Sequence, residues 1–343
     1  MAGIKDVAKK AGVSITTASR VLNHVAYPVA TTTRQRVEAA ARELHYSPSA
    51  LARALVTRRS GIVGVLVGDI VDPYFAEIVR GIEDAARKAG YLVIVCNTDR
   101  NPAVERRYVE TLSDYRVDAL IFVGGDILTQ SERRKLKQVL AIAIKRGTLV
   151  VACAGERAGL PAIDIDHRAA AVDMTQNLLS LGHQRIGFIG GPVDVSTAAQ
   201  RESGFRSAMK DAGLQPTFIA HGDFTYTSGF ETARHLLSKD PPTAIFAAND
   251  QMALGALDAA LTAGLCVPDN LTVVGFGDTS AAQRARPSLT AVGMPRHELG
   301  VVAMEAILAA LESRTPRVEA RQLPYRIVLR ASSGPPAEEE LVA

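Results

Sequence analysis

The run IVGVLV, Ile62 to Val67, carries no charged or polar side chain over six residues. A strand with one face in water alternates apolar and polar residues, whereas a strand covered on both faces reads as continuous apolar sequence, the signature of a parallel sheet lying between helices. The same grammar returns as LVIVC from Leu92, ALIFV from Ala119 and LVVA from Leu149, with longer amphipathic stretches between. A second series follows: RIGFIG from Arg185, FIAH from Phe218, AIFAA from Ala244 and LTVVGF from Leu271. Two series predict an α/β body of two doubly wound parallel-sheet lobes. Segments near Ser288 to Met294 and Gln322 to Arg330 come after both, so the chain is expected to cross between the lobes more than once.

A chain of 343 residues, 47% hydrophobic, can bury a large core, which excludes a disordered protein and a single small module. Its longest apolar runs are strand-sized, far short of the roughly 20 residues that cross a bilayer, so no membrane partner is expected. Cys96, Cys153 and Cys266 form no close pair and no early apolar segment resembles a signal peptide, which points to a reducing cytoplasm. Phosphate-loop, dinucleotide, nucleophile-elbow and His-x-x-x-His patterns are all missing, so no enzyme, cofactor or metal is expected. The net charge of +3 is unevenly spread: residues 1–60 hold ten Lys and Arg against three acids, or +7, and the remainder is −4. A basic head on a mildly acidic body is the charge pattern of a polyanion-binding module joined to another machine.

That head has no strand pattern. Val7, Ala8 and Ala11 share one helical face, Ala18, Val21 and Leu22 another, and Val37, Ala41 and Leu44 a third, which predicts a small three-helix bundle. Between the first two lies Ala11-Gly12-Val13-Ser14, where Gly12 suits a left-handed helix end, Val13 packs inward and Ser14 caps the next helix. This is a helix-turn-helix. After Pro48, SALARALVT (Ser49 to Thr57) has helix formers but is too short to stand alone in water.

The segment IKDVAKKAGVSITTASRVLNH (Ile4 to His24), with Tyr46-Ser47-Pro48 and LARAL, resembles the DNA-binding head of the lactose-repressor (LacI/GalR) family. DPYFAEIVRGIEDAA from Asp72, LGHQRIGFIGGP from Leu181, AANDQMALGAL from Ala247 and VPDNLTVVGFGD from Val267 extend the likeness from about Ile4 to Arg330. It implies a helix-turn-helix head at 1–47, a hinge at 48–59 and a periplasmic-binding-protein-like body at 60–333. Within the body the expected lobes are 60–161 with 293–322 and 162–290 with 324–333, followed by a disordered tail at 334–343. It also implies a repressor on double-stranded DNA, controlled by a small sugar-like effector between the lobes. In such a head the second helix enters the major groove. Ile15 then offers a thymine methyl its apolar contact, Thr16 a donor or acceptor, and Arg20 two hydrogen bonds to guanine. Thr17, Ser19 and Asn23 suit phosphate oxygens, and the capping Ser14 is placed with them among the DNA-binding residues. By the resemblance, Leu55 wedges into a base step and Ala52 permits close approach of a second hinge, which implies a homodimer on a near-palindromic operator.

Ligands of parallel sheets sit beyond the carboxyl ends of strands, which selects Asp69 to Phe75, Asn97 to Asp99, Gly125-Asp126, Asp166, Asn249-Asp250 and Gly277-Asp278. The resemblance assigns Asp72, Pro73, Tyr74, Phe75 and Asp166 to the cleft, with Arg201, the ring of Phe224 and Asn249. Core packing is the alternative for Tyr74 and Phe224, and Arg201 needs either a ligand or an acid such as Asp166. Where the family commonly has an acid after Gly-Phe, this chain has Gly277 and then Asp278. That departure leaves room for a bulkier or acidic ligand, or for a phosphoprotein corepressor, and GDFTYTSG from Gly222 is similar to the catabolite-control branch. A sugar-binding protein or sugar-acting enzyme with an accessory basic head is the reading of another class.

Overall fold

The computed structural model describes residues 2–23, 27–47, 59–127, 129–157, 159–313 and 317–337, in two compact units, 1–61 and 62–343. The first unit holds α1 (Ile4–Ala11), α2 (Ile15–Leu22) and α3 (Thr31–Glu43). Gly12 closes α1 at φ 63°, a left-handed conformation that suits glycine, and the Ser14 hydroxyl accepts the Thr17 N–H at 3.0 Å to open α2. Val7, Ala8, Ala11, Ala18, Val21, Val37, Ala40 and Ala41 form the core, and so many alanines let three short helices approach closely. The segment Ser49 to Thr57, with Ala52 and Leu55, lies outside the described residues.

The second unit runs β1 (Ile62–Val67), α4 (Pro73–Lys88), β2 (Leu92–Asn97), α5 (Pro102–Asp114), β3 (Ala119–Val123), α6 (Gln130–Lys145), β4 (Leu149–Cys153) and β5 (Ala162–Asp164). It continues through α7 (His167–Ser180), β6 (Ile186–Gly190), α8 (Ser196–Asp211), β7 (Phe218–His221), α9 (Tyr226–Leu236), β8 (Ala244–Ala247), α10 (Asp250–Thr262) and β9 (Thr272–Gly277). It ends with α11 (Ser280–Arg284), β10 (Thr290–Gly293), α12 (Arg296–Glu312), β11 (Arg321–Gln322) and β12 (Arg326–Val328). Two six-stranded sheets result, ordered β11-β5-β4-β3-β1-β2 and β12-β10-β9-β8-β6-β7. Ile62 to Val67 sits between β3 and β2, with Val63 opposite Ala119 and Ile62 opposite Leu92, both pairings parallel.

Three details differ from expectation. Ala162 pairs with Ala152, so β5 belongs to the first sheet and the chain leaves that lobe only after Asp164. β12 runs antiparallel to β10 because it enters the second lobe from the cleft, at the ends where the parallel strands finish. Gly334, expected to begin a disordered tail, is tied down: its N–H donates to Thr272 Oγ1 at 3.0 Å, and its carbonyl lies 2.9 Å from His183 Nε2. Residues 338–343 lie outside the described residues.

Within each lobe the covering helices pack through glycine. A Cβ on Gly81 of α4 would fall 2.0 Å from the His297 carbonyl oxygen of α12, and one on Gly300 of α12 the same distance from that of Ile78. Gly204 and Gly255 make the equivalent backbone approach between α7 and α8 and between α9 and α10. A helical glycine costs about 1 kcal/mol against alanine, so these positions are justified by contact rather than by propensity. Gly81→Ala is therefore expected to lower stability by about 1–3 kcal/mol, since the helices must separate. Urea unfolding followed by circular dichroism checks this, and an unchanged or raised midpoint would contradict the backbone contact.

Candidate functional site

In the head, Ile15 is 46% exposed although it opens a helix whose Ala18 and Val21 are buried, so an apolar side chain is left on the outer surface. Thr16 is exposed beside it. Arg20 stacks its guanidinium on the Tyr27 ring, 3.8 Å from the centroid, a partner that sequence reasoning missed. The short polar groups assigned to DNA binding are linked to each other: Thr17 Oγ1 lies 2.9 Å from the Ser14 hydroxyl, and Asn23 Nδ2 donates to Ser19 Oγ at 3.1 Å. Lys10 pairs with Glu43 across α1 and α3, while Lys5 and Lys9 are exposed.

In the body, one cleft opens between the two sheets at the carboxyl ends of their strands, and the amino ends of α4, α5, α8 and α10 surround it. Their free N–H groups and dipoles give it a positive local field. Asp72 caps α4 by accepting the Tyr74 N–H at 3.0 Å, and burial holds its carboxyl above the usual value. Tyr74 donates its hydroxyl to the Ala154 carbonyl at 3.2 Å and meets Phe75 edge-on. Phe224, at φ 72°, lies over Gly191, where a Cβ would come 2.2 Å from the ring. Asn249 is spent on positioning: its Nδ2 donates to the Phe224 carbonyl at 2.8 Å and its Oδ1 accepts the Met252 N–H at 2.9 Å.

Arg201 is 4% exposed and rests on the Phe276 ring, 3.9 Å from the centroid. Its partners are the Ala248 carbonyl, 2.5 Å from Nη1, and His167 Nδ1, 3.4 Å from Nε, with His167 Nε2 standing 3.2 Å from Asp164 Oδ1. The acid nearest this chain is thus Asp164 and not Asp166, and burial pushes the guanidinium down from its usual value.

Four expected residues do not reach the cleft. Pro73 forms the first turn of α4. Asp166 caps α7 by accepting the Ala169 N–H at 2.8 Å. Asp126 holds Arg133 at 2.9 Å and joins the lobes at their rim, its N–H donating to Ser196 Oγ at 2.9 Å. Asp278 pairs with Arg330 at 2.6 Å and gives its carbonyl to Arg296. Each of these carboxylates is committed to a cation or an N–H of the protein.

Sequence reasoning missed Arg100, Glu105 and Arg157, whereas Asp250, selected with Asn249 at a strand end, does line the cleft. Arg157 lies beyond the end of β4, so the strand-end rule had the signal. Its Nη1 donates to both oxygens of Glu105, at 2.8 and 3.1 Å, and its Nη2 to the carbonyls of Gly124 and Gly125. Asp250 fills the space left by Gly277, since a Cβ there would sit 3.1 Å from its Oδ2, which accepts the Thr279 N–H at 2.6 Å. Burial raises the carboxyls of both Glu105 and Asp250. Among the described residues no three His, Cys, Asp or Glu side chains gather as a metal site, and no helix is long and apolar enough to cross a membrane.

Comparison with known proteins places both units. Residues 3–49 match the bacterial regulatory proteins of the lacI family, and residues 175–333 match a periplasmic binding protein-like domain. The chain is 35% identical over 339 residues to catabolite control protein A of Priestia megaterium, covering 96% of this chain and 98% of that one. It superimposes on the lac repressor dimer bound to operator and the anti-inducer ONPF with a TM-score of 0.83 at 28% identity, over 97% of this chain and 99% of that chain. A complex of the transcriptional regulator CelR with cellobiose gives 0.71 at 30% identity, over 97% and 100%.

The Arg157–Glu105 pair yields a stability test, because both side chains are largely buried, at 7% and 12% exposure. Arg157→Met strands a buried carboxylate and is expected to cost about 3–5 kcal/mol at neutral pH, and adding Glu105→Gln should restore most of it. Denaturant unfolding of the two single variants and the double variant measures the coupling; additive losses would mean that the pair is not a unit.

Proposed function

The chain belongs to the LacI family of bacterial regulatory proteins, and from that premise we propose that it is an operator-binding repressor whose grip on DNA is set by a sugar-like effector in the interlobe cleft. The observation that carries this reading is the pairing, in one chain, of a capped helix presenting Ile15 and Thr16 to the outside with a cleft that two lobes share. Helix α2 lies in the major groove, with Ile15 and Thr16 on base edges, Arg20 on a guanine, and Ser14, Thr17, Ser19 and Asn23 beside phosphates. The head ends near 47, the hinge spans 48–59 with Ala52 and Leu55 at the minor groove, and the body follows.

In the cleft, Tyr74, Phe75 and Phe224 supply ring faces for a sugar's C–H surface, and Arg201 offers a buried donor fixed in place by its own partners. Asn249 and Asp72 hold this framework through the bonds they make. The complex of the similar regulator CelR with cellobiose supports a carbohydrate class. The protein acts by binding and not by catalysis, in the cytoplasm where its DNA is. It acts as a homodimer: Leu92 and Val95 on the edge strand β2 are 61% and 41% exposed, and Leu261 on α10 is 73% exposed, apolar side chains that a second copy would cover. Effector binding alters the angle between lobes and thereby the spacing of the two heads.

Selection of the full chain against randomised DNA should enrich a near-palindrome of two half-sites; no enrichment overturns the DNA reading, and an asymmetric site overturns the dimer. Arg20→Ala should weaken operator binding by about 1–3 kcal/mol and relax preference at one base pair in each half-site. An unchanged base profile by the same selection would remove Arg20 from the readout.

A further inference from the structure

Of the three guanidinium groups lining the cleft, two are tied to acceptors of the protein. Arg157 is held by Glu105 and two carbonyls, and Arg201 by Ala248 and His167. Arg100 differs. Among the described residues its guanidinium makes no hydrogen bond or close ion pair; it faces the rings of Phe75 and Phe224, 5.8 Å from each centroid, and its charge is felt by Asp72. Phe75 comes from the first lobe and Phe224 from the second, so the cation stands where the lobes face each other.

The backbone holds it there at a cost. Asp99 and Arg100 are consecutive non-glycine residues at φ 51° and 55°, a conformation that L side chains rarely adopt and that persists where surrounding structure enforces it. Asn97 fixes the turn from both sides, its Nδ2 donating to Asp99 and its Oδ1 accepting the Ile70 N–H at 2.8 Å. The turn ends at Asn101, which caps α5, so Arg100 immediately precedes a helix amino terminus that also faces the cleft.

We infer that the effector carries an oxyanion, a carboxylate or a phosphate, and that Arg100 binds it and sets the specificity of the cleft for charged over neutral sugars. This rests on the reading of the cleft as a sugar-effector site and names the chemistry of its occupant. A guanidinium presents five N–H donors in a planar fork that matches a carboxylate or phosphate edge, and ring faces leave all five donors open. The acids around it do not compete. Asp72 is occupied in capping α4 and Glu105 by Arg157, and Asp250 gives Oδ2 to the Thr279 N–H while its buried Oδ1 has no partner. Burial raises the carboxyls of all three, while Arg100 draws that of Asp72 and Arg157 that of Glu105 back down. Gly277 adds no charge, in the place where the resemblance leads one to expect an acid for neutral sugar hydroxyls.

The test is calorimetric titration of the full chain at about 0.15 M salt with matched probes: galactose against galacturonate, glucose against gluconate and glucose 6-phosphate, and ribose against ribose 5-phosphate. Wild type is expected to bind one anionic probe at least tenfold more tightly than its neutral partner, and the pair that responds distinguishes carboxylate from phosphate. Arg100→Gln should erase that preference, and Arg100→Lys should keep part of it because the charge remains. A neutral sugar bound as tightly as its anion, or a preference that survives Arg100→Gln, overturns the inference and leaves the sugar-effector reading standing. No binding of any probe by wild type overturns that reading, and this inference with it.

Discussion

The chain passes between its two lobes three times, each time from the carboxyl end of a strand, and the cleft exists because of where those passages lie. Backbone that leaves a sheet must find new partners, and here each crossing is accompanied by polar groups that supply them. At the first, His167 stands between Asp164 and Arg201. At the second, Arg296 reaches Glu77 of its own lobe at 2.9 Å and the Asp278 carbonyl of the other at 2.8 Å. At the third, the Leu323 N–H donates to the Asp164 carbonyl at 2.7 Å, and the Tyr325 hydroxyl donates to Asp173 at 2.6 Å. Arg201 thus touches both the cleft and a crossing. A molecule that engages it acts on the joint between lobes without any longer path.

The lobes that this joint connects are stiff for a different reason. Gly81 and Gly300 in the first lobe, and Gly204 and Gly255 in the second, bring helix backbones into direct contact. Such contacts lack long side chains that could repack, so each lobe turns as a body. The rim supplies the counterpart: Ile127 and Val195 form an isolated antiparallel bridge from lobe to lobe, next to the Asp126–Ser196 hydrogen bonds.

The long apolar runs were legible because burial on both faces leaves no ambiguity of period, and Ile62 to Val67 became β1 with the limits its sequence suggests. β5, β11 and β12 were not, since strands of two or three residues are defined by the neighbour they pair with and leave no pattern of their own. The same division runs through the cleft. Asp72, Tyr74, Phe75 and Asn249 follow strand ends and were selected for that position, whereas Arg201 and Phe224 came from resemblance alone. Arg100 falls one residue beyond the Asn97 to Asp99 loop that was selected, and what turns it inward is a left-handed backbone that no residue type announces. Asp126, Asp166 and Asp278 show the converse: a carboxylate in the right loop still goes to the nearest cation or free N–H, and local sequence does not reveal which one that is.

Arg20 lies against Tyr27 within the head itself. A free arginine samples many rotamers, and immobilising such a side chain at an interface costs about 0.5–1.5 kcal/mol. Because the ring has already narrowed that freedom, part of the ordering belongs to the folding of the head and not to its encounter with the operator. The base contact proposed for Arg20 should therefore appear in binding thermodynamics with a smaller entropic loss than an unrestrained arginine would show.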